Sequence, residues 1–500
     1  MATRTRTRRV VWAALAVAVA GALPAAASHR VPAIPIPQDP DSPAKGFVGR
    51  SAHPHPIRVQ LPPRHPFMAP NGRSNIHNDA YMSDVYAGPG PLGSKVRVTS
   101  TFQMAECASL TFDTSGRILT ICVGVEGPRL MLLNTETLDA LASFPLPPRT
   151  FSGGANIFND FSGGGYFYLD NRDRAVIPTN NRQIWVVGLT DAEYGYGGEH
   201  YFELDEVHDL STVALPNEGI LSVLPDYDGR IWFATSRGLV GYVDRKSGDV
   251  SSLRLEDETI SNSFAVDEDG GVYIVSDRAL YRFEKGGEGR PAVRWRARYE
   301  RGERQKPGQV NFGSGTTPTV LGERYVAITD NADPRMNVLV FDRRSGEPVC
   351  SEPVFAPKKG ATDNSLIGIG DSLVVENNYG YTGPGAATQG ASTQPGFARV
   401  DVESGRCRTV WESEERAPSV VPKLSLRTGL IYTYTKEPRD DGDDAWYFTA
   451  IDFRTGKTVF KALAGTGLGF NNNWAPVSLS ENGTAYVGAL GGLVRLADRK

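Results

Sequence analysis

Several signatures that would assign a function directly are missing from this chain of 500 residues. It has no Gly-rich phosphate loop, no H-E-x-x-H, no G-x-S-x-G and no C-x-x-C sequence, so the best-known nucleotide, metalloprotease, serine hydrolase and dithiol motifs are absent. Its net charge is only −4, and no long basic stretch follows the N-terminal leader. Nucleic acid is therefore not an expected partner.

Long hydrophobic runs are also missing after the first 28 residues, so we expect no membrane anchor in the mature chain. The first 28 residues combine four arginines, an apolar run from Val10 to Ala22, and an A-x-A-like site at Ala25 to Ala27. This arrangement is typical of a secretory signal peptide, by either the Sec or the Tat route. The sequence predicts a secreted or periplasmic (extracytoplasmic) monomer.

Cysteine is scarce, with four residues in total. Cys107 and Cys122 lie on either side of the turn Asp113 to Gly116, in a register that places them opposite each other across a hairpin. Cys350 and Cys407 each follow a Ser-Gly turn on the last strand of neighbouring repeats. In an extracytoplasmic protein this predicts the disulfides Cys107–Cys122 and Cys350–Cys407. The alternative is a set of buried free thiols.

What the chain does contain is a pattern that returns about eight times, in which two short apolar runs flank a tight Gly turn. Clear copies are ECASLTFDTSGRILTICVG (106–124), GILSVLPDYDGRIWFATS (219–236), SNSFAVDEDGGVYIVSD (261–277) and NNNWAPVSLSENGTAYVGA (471–489). A repeat of about 40–50 residues built from short strands and Gly turns is typical of a β-propeller. The predicted fold class is all-β, an eight-bladed β-propeller with an N-terminal extended arm.

The chain divides into three regions at the sequence level. Residues 1–28 are the predicted signal peptide, and residues 29–93 form a region rich in Pro and His without a sustained strand period. Because Pro removes donors and favours extended backbone, this region should be an arm lying over the propeller, docked through Met68 to Tyr81. Residues 94–500 are the predicted propeller. Residues 94–103 should supply the missing outer strand of its short last blade.

Four outer turns share one pattern, which starts at Val243, Phe341, Val400 and Ile451: VDRKSGDV, FDRRSGEPV, VDVESGRCR and IDFRTGKTV. They resemble the D-x-x-[ST]-G turn of the PQQ-type, or quinoprotein-like, propeller repeat. That superfamily includes dehydrogenases, assembly factors and binding proteins, so the resemblance implies a fold family but no activity. Its quinone enzymes typically show adjacent cysteines or Trp-rich repeat ends. This chain has scattered cysteines and seven Trp, so PQQ is not an expected cofactor.

Polar side chains collect at one predicted edge of the channel. The first strand of each blade starts, and the second strand ends, at the same edge, and both positions carry carboxylates and amides, Glu106 and Glu218 among them. The expected ligand-binding residues are Asn262, Asp277, Asp330, Asn331, Asp363, Asn364, Glu376, Asn377, Lys436 and Asn472. The competing explanation is structural, because Asn and Asp cap loose backbone at strand ends in many proteins.

Calcium is the candidate cofactor of this rim, because it takes six to eight carboxylate and amide oxygens. The segment SNSFAVDEDGGVYIVSD also resembles the corresponding part of regucalcin-type lactonases, where Asn and Asp near the channel hold calcium. That resemblance implies Asn262 as a ligand, and we add Asp330 and Glu376 as metal candidates. His77, in NIHNDAY, is the candidate catalytic residue. A hydrogen-bonding anchor is the alternative role for His77.

Two function hypotheses follow. In the first, the polar rim binds a small polar ligand or another secreted protein, and no reaction is assigned. In the second, the protein is a calcium-assisted hydrolase or lyase acting on a sugar-like or lactone substrate. A quinone-dependent dehydrogenase ranks below both.

Overall fold

A computed structural model describes residues 30–149, 157–191 and 200–499. These residues form eight sheets arranged as the blades of a propeller. The helices among them are four short 3₁₀ segments: Ile157–Asn159, Gly287–Gly289, Pro384–Ala387 and Leu468–Phe470. The predicted all-β, eight-bladed propeller is confirmed. The predicted signal peptide lies outside the described residues.

The first strands of the chain belong to the arm and to the closure of the ring: β1 (Phe47–Gly49), β2 (Val85–Tyr86) and β3 (Val96–Phe102). Blade 1 consists of β4 (Ala105–Phe112), β5 (Ile118–Gly124), β6 (Gly127–Leu133) and β7 (Ala140–Pro145). Blade 2 consists of β8 (Tyr168–Leu169), β9 (Ala175–Pro178), β10 (Gln183–Asp191) and β11 (His200–Asp209). Blade 3 consists of β12 (Ile220–Pro225), β13 (Ile231–Thr235), β14 (Leu239–Val243) and β15 (Val250–Arg254). Blade 4 consists of β16 (Ala265–Val266), β17 (Val272–Val275), β18 (Ala279–Lys285) and β19 (Pro291–Arg298).

The second half of the ring repeats this order. Blade 5 consists of β20 (Thr319–Leu321), β21 (Tyr325–Thr329), β22 (Met336–Asp342) and β23 (Pro348–Val354). Blade 6 consists of β24 (Ile367–Ile369), β25 (Ser372–Glu376), β26 (Phe397–Glu403) and β27 (Arg406–Ser413). Blade 7 consists of β28 (Lys423–Ser425), β29 (Leu430–Thr435), β30 (Ala445–Asp452) and β31 (Thr458–Thr466). Blade 8 contains β32 (Val477–Leu479), β33 (Ala485–Ala489) and β34 (Gly492–Asp498).

The ring is closed by strands from distant parts of the chain. β3 pairs antiparallel with β34, from Val96 opposite Asp498 to Phe102 opposite Gly492. Blade 8 therefore has the sheet order β3-β34-β33-β32. This pairing covers the outer edge of β34, which would otherwise expose unpaired backbone groups.

Part of the arm enters the channel. We call residues 68–86 the plug, and its residues 74–86 are all buried. Backbone N–H groups at the inner edges of five blades donate to plug carbonyls: Leu169 to Ser74 (2.7 Å), Val266 to Ala80 (2.8 Å), Val320 to Tyr81 (2.9 Å), Gly368 to Ser83 (2.9 Å) and Leu424 to Asp84 (3.1 Å). The sequence placed the arm over the propeller. The plug lies inside because the inner strand edges offer it backbone partners that a surface position lacks.

The arm also holds blade 7 from both sides. β2 pairs in parallel with β28 at the inner edge, and β1 pairs antiparallel with β31 at the outer edge. The result is a six-stranded sheet in the order β1-β31-β30-β29-β28-β2.

Both predicted disulfides are confirmed. Cys107 and Cys122 are opposite each other in β4 and β5 and are bonded. Cys350 and Cys407 are also bonded, and they join β23 of blade 5 to β27 of blade 6. In the part of the chain that the structure describes, no helix is long and apolar enough to cross a membrane.

Candidate functional site

A cavity of about 470 Å³ lies at one end of the channel, with the plug residues Ile76 and His77 in its wall. We call it the inner cavity. Most of its remaining wall comes from segments that precede the first strands of blades 2, 4, 5, 6, 7 and 8. Its lining is largely apolar, with a few polar groups among hydrophobic ones, as is usual for small-molecule sites. Its principal apolar residues are Ile121, Val123, Phe158, Phe161, Val421 and Trp474.

His77 is oriented by a buried carboxylate. Its Nδ1 lies 3.0 Å from Oδ1 of Asp84, and both residues are buried. Since a carboxylate accepts, Nδ1 carries the proton, and Nε2 of the neutral ring keeps its lone pair. Nε2 is buried without a hydrogen-bond partner among the described residues. The arrangement gives the cavity wall a histidine with a free basic nitrogen.

Two further residues hold Asp84. Lys423 Nζ donates to Oδ1 of Asp84, and Ser365 Oγ donates to Oδ2. Burial alone would raise the pKa of Asp84, but the Lys423 cation and His77 hold it below its usual value. The Asp84 carboxyl therefore stays ionised and acts as an acceptor for the imidazole.

Burial lowers the pKa of His77 below its usual value, against the charge of Asp84, which acts in the opposite direction. The ring is consequently neutral at neutral pH and is able to take up a proton at Nε2. It lies parallel to the ring of Tyr166, with centroids 6.2 Å apart and an interplanar angle of 18°.

The backbone of the plug is strained around this pair. Asn78, Met82 and Asp84 have φ values of 80°, 57° and 58°, in the left-handed region. Asn and Asp tolerate this region better than other non-Gly residues, whereas Met82 does not share that tolerance. Strained backbone of this kind persists only where surrounding contacts fix it, here the inner edges of the blades.

Glu106 supplies a carboxyl group to the same cavity. It accepts a hydrogen bond from the backbone N–H of Asn473 at 2.9 Å. Desolvation outweighs that hydrogen bond and raises the pKa of Glu106 to about 8. Glu106 is thus largely protonated at neutral pH and is able to donate a proton, the opposite role to that of His77.

Asp363 and Asn262 complete the polar part of the wall. Asp363 Oδ2 accepts from the backbone N–H of Val310 at 2.7 Å, whereas its Oδ1 is buried and unpaired within the described residues. Burial raises the pKa of Asp363 well above its usual value. Asn262 Oδ1 accepts from Tyr166 Oη at 2.8 Å, and its amide donates to Gly315 O. These contacts fix the amide at the cavity wall.

Trp474 is the largest aromatic side chain in the inner cavity. Its φ of 63° lies in the left-handed region, which is a genuine outlier for a bulky residue. Its ring packs edge-to-face on Phe161 and on Tyr381. The indole Nε1 is buried and lacks a partner in the described part of the chain. The strained backbone directs an indole into the site.

A second cavity of about 380 Å³, which we call the outer cavity, adjoins the first. Asp160 and Phe161 line both cavities. The other walls come from segments of blades 2, 3 and 4, beside Asn180, Ser236 and Thr259, and from Val310 and Asn311, which precede blade 5. Ser236 is exposed, so this cavity lies at the rim of the channel.

The structure brings four of the predicted site residues together around the inner cavity: His77, Asn262, Asp363 and Asn364. Asn364 contributes an amide that donates to Val420 O at 2.7 Å and to Glu376 Oε1 at 3.1 Å. Glu376 lies behind it. Burial raises the pKa of Glu376 well above its usual value.

Six other predicted residues do not line the inner cavity and bond to their own surroundings. Asp277 pairs with Arg301, and Asp330 accepts from Asn337. Lys436 pairs with Asp444 and donates to Ala391 O. The amides of the remaining three donate to backbone carbonyls: Asn331 to Arg301 and Arg304, Asn377 to Lys359 and Pro395, and Asn472 to Ala475 and Gly488. These contacts match the capping role that Asn and Asp have at strand ends.

The three candidate metal ligands are separately engaged. Asn262 bonds to Tyr166, Asp330 to Asn337, and Glu376 to Asn364 and Asn378. Over residues 30–149, 157–191 and 200–499, no group of three or more His, Cys, Asp or Glu side chains is arranged to hold a metal ion. Calcium binding by these residues stays a prediction.

Sequence reasoning missed Asp84, Lys423, Ser365, Tyr166 and Trp474. Asp84 lies only seven residues after His77, which is a usable signal for a paired carboxylate. Lys423 follows it by 339 residues in the chain, and no local pattern connects the two. Trp474 follows three asparagines at the start of the last repeat, and this departure from the repeat was the available signal.

Comparison with known sequences gives limited detail. The family model of the two component regulator propeller matches residues 214–237, which form the first hairpin of blade 3 and its approach. A protein of Archaeoglobus fulgidus, described as an uncharacterized protein, is 29% identical over 374 residues. The match covers 67% of this chain and 70% of that relative.

The solved structures that this chain resembles are similar to it only at low sequence identity and low TM-score. BamB from Moraxella catarrhalis has a TM-score of 0.40 and 14% identity, over 65% of this chain and 93% of BamB. A catalytically inactive virginiamycin B lyase from Staphylococcus aureus with Quinupristin has a TM-score of 0.41 and 9% identity, over 80% of this chain and 99% of the lyase. Both are β-propeller proteins of different function. The function is therefore argued from the site alone.

Proposed function

We propose that this protein is an extracytoplasmic propeller that binds a small molecule in the inner cavity and transfers a proton at His77. One observation carries the proposal: a buried His77 with Nδ1 fixed by Asp84 and an unpaired Nε2, in the wall of a cavity of about 470 Å³. His65 Nε2 is also buried without a partner among the described residues, but His65 lines neither cavity, so the position of His77 in the cavity wall is what distinguishes it.

The chemistry that fits is hydrolysis or elimination by acid–base catalysis. In an elimination, His77 Nε2 takes the proton from carbon, and the departing oxygen takes the proton of Glu106. In a hydrolysis, His77 takes a proton from the attacking water, and Glu106 protonates the leaving group. Each role matches the direction of the pKa shift, since His77 is held neutral and Glu106 protonated. Asn262 and Trp474 then position the bound molecule.

Location and superfamily belong to the same proposal. Two disulfides are compatible with an oxidising compartment, and we infer export through the leader of residues 1–28. The D-x-x-[ST]-G turns support a place among the quinoprotein-like repeat propellers. The proposed proton transfer uses the side chains of the cavity and requires no quinone.

The test compares two buried histidines of the arm. His77 faces the inner cavity, whereas His65 packs against Tyr227 with ring centroids 4.2 Å apart. We expect His77→Gln to lower the turnover of esters, lactones or elimination substrates by about 10²–10⁴-fold, with the fold unchanged by circular dichroism. His65→Gln should retain turnover. Equal turnover by wild type and His77→Gln would contradict the proposal.

Labelling gives an independent measure of the same nitrogen. Diethyl pyrocarbonate should modify His77 from the cavity, and any molecule bound in the inner cavity should protect it, as mapped by mass spectrometry. His65 should remain unlabelled in the folded protein. Labelling of neither histidine before unfolding would show that the cavity does not expose Nε2.

A further inference from the structure

The outer cavity differs from the inner one in the side chains that it offers. Amides and hydroxyls predominate, joined by one guanidinium and one carboxylate: Asn180, Asn217, Asn311, Ser236, Thr259, Arg237 and Asp160. Such groups each donate or accept hydrogen bonds in several directions, which suits a ligand with many hydroxyl groups. The cavity falls in the size range of about 300–1,000 Å³ that small-molecule sites occupy.

Two amide oxygens of residues that line the outer cavity accept no hydrogen bond from the described residues. Oδ1 of Asn180 and Oδ1 of Asn311 are both buried, and neither has a hydrogen-bond partner among the residues that the structure describes. Buried polar atoms are nearly always paired, so unpaired amide oxygens on residues that line a cavity point to a ligand or to solvent that satisfies them. Hydroxyl groups are donors that meet this need.

Two glycines pack closely against the Asn180 amide. At Gly219, a Cβ atom would lie 2.7 Å from Asn180 Oδ1 and 3.3 Å from Ser162 Oγ. At Gly163, a Cβ would lie 2.8 Å from Asn180 Nδ2. Any side chain at either position would therefore displace the amide, and of the two glycines Gly219 lines the outer cavity.

The inner cavity offers complementary chemistry. It is walled by Phe161 and Trp474, and the exposed apolar side chains of Met104 and Val125 also line it. The two cavities meet at Asp160 and Phe161. A molecule that spans them would place an apolar group beside His77 and a hydroxylated group beside Asn180.

We propose that the substrate is glycoside-like: an apolar ring joined through oxygen to a polyhydroxylated group, with the ring in the inner cavity and the hydroxyls in the outer cavity. This inference rests on the proposed function, and it adds the class of the molecule. Its basis is the juxtaposition of an aromatic-lined cavity with an amide-lined one that has two unpaired acceptors.

The test measures binding of whole probes and of their halves. Saturation-transfer NMR and calorimetry would use p-nitrophenyl glycosides of glucose, galactose, xylose and N-acetylglucosamine, with p-nitrophenol and the methyl glycosides as halves. We expect at least one p-nitrophenyl glycoside to bind about tenfold or more tightly than either of its halves, because the joined groups occupy adjacent cavities.

Variants then assign each half to its cavity. Asn180→Ala should weaken binding of that glycoside about threefold to tenfold, the effect of one lost hydrogen bond, and leave p-nitrophenol binding unchanged. Gly219→Ala should have the same selectivity, because its Cβ would displace the Asn180 amide. Gln60→Ala is the matched control, since Gln60 is an exposed amide that lines neither cavity.

The outcomes separate the two proposals. If p-nitrophenol binds and labelling of His77 is blocked, but no glycoside binds more tightly, the glycoside inference is overturned and the proposed function stands. If a glycoside binds and Asn180→Ala leaves its affinity unchanged, the assignment of the outer cavity is overturned. If His77 is not labelled and no probe binds, both proposals fail.

Discussion

Similar side chains serve different purposes on two sides of the channel rim. On the cavity side, His77, Glu106 and Asp363 line the inner cavity, and buried atoms of His77 and Asp363 are unpaired within the described chain. On the sealed side, Asp330 and Lys436 are bonded to loops of their own or a neighbouring blade. Both sides fit the same strand-end pattern in the sequence. Residue type and strand position therefore place a group on the rim, and its neighbours decide whether it is available.

Glu106 and Glu218 show the difference within one residue type. Each lies near the start of the first strand of its blade. Glu218 accepts from Arg254 at 2.8 Å and from Thr235, and these partners outweigh burial and lower its pKa. Among the described residues, Glu106 accepts hydrogen bonds only from the amides of Asn473. The charge of Arg149 acts to lower the pKa of Glu106, but burial outweighs it and raises the pKa to about 8. A hydrogen-bonded ion pair with Arg254 therefore distinguishes the structural carboxylate of Glu218 from the candidate proton donor Glu106.

The largest difference in stability between the two sides of the rim should come from replacing the two buried lysines, Lys423 and Lys436. Lys423→Met on the cavity side leaves Asp84 ionised with no side-chain exposure, so we expect a loss of about 3–5 kcal/mol in the free energy of unfolding. Lys436→Met on the sealed side should cost less, because Asp444 retains 15% exposure and can be hydrated. Chemical denaturation measures both.

The double variant Asp84→Asn with Lys423→Met is the control for that comparison. It removes both charges, so it should recover part of the stability that Lys423→Met loses. Equal losses for the two single lysine variants would show that the two sides of the rim do not differ in this respect.

The next effect concerns pH. The pKa of Glu106 is raised from 4.5 to about 8, so its contribution to stability is present below pH 4.5 and is lost as pH rises through about 8. Glu106→Gln should therefore lose less stability than wild type between pH 5 and pH 9, by about 2 kcal/mol after solvent screening. Melting temperature against pH measures the difference.

Glu218 should behave in the opposite way. Its pKa is lowered, so its contribution is present above the unfolded value and is lost as pH falls through the folded one. Glu218→Gln should be less stable than wild type at pH 7 and should change less on acidification. The same pH dependence for both glutamine variants would remove the distinction between the two glutamates.

The smallest effect is expected from Asp330→Asn combined with Glu376→Gln. The amide oxygen introduced at position 330 would still accept from the backbone N–H groups of Ala332 and Asn337, and the Asn337 side-chain amide would turn to accept from the new Nδ2. Burial already favours the neutral form of Glu376 by raising its pKa. We expect a change below about 1 kcal/mol and unaltered probe binding. Melting curves in calcium and in chelator provide the second comparison. A calcium-dependent rise in wild type that the double variant lacks would instead support the calcium hypothesis.

The sequence was most informative where structure depends on near neighbours. Gly turns and paired apolar runs predicted the blades, and the spacing of Cys107 and Cys122 around one turn predicted their bond. Strand ends also indicated Asn262 and Asp363, because a repeat places equivalent positions at one edge. The electrostatic partners of His77 could not be found in this way: Ser365 and Lys423 reach Asp84 from 281 and 339 residues away.

The path of the plug through the channel could not be predicted from the sequence either. Its residues carry no strand period, and only the finished ring creates the inner edges that bind them. The same limit applies to Glu106 and Glu218, whose pKa values diverge because Arg254 reaches only one of them. Local patterns thus predicted where groups lie, whereas contacts between distant segments determine their protonation.

The plug has a consequence for how the repeats depend on one another. In most repeat proteins each unit contacts only its neighbours, so units can be gained, lost or unfolded nearly independently. Here the plug accepts backbone hydrogen bonds from blades 2, 4, 5, 6 and 7, so these five blades share one central segment. Duplication or deletion of a blade would move the inner strands relative to the plug. His77 and Asp84, which belong to the plug, would then be misplaced. The number of blades is thereby tied to the geometry of the site.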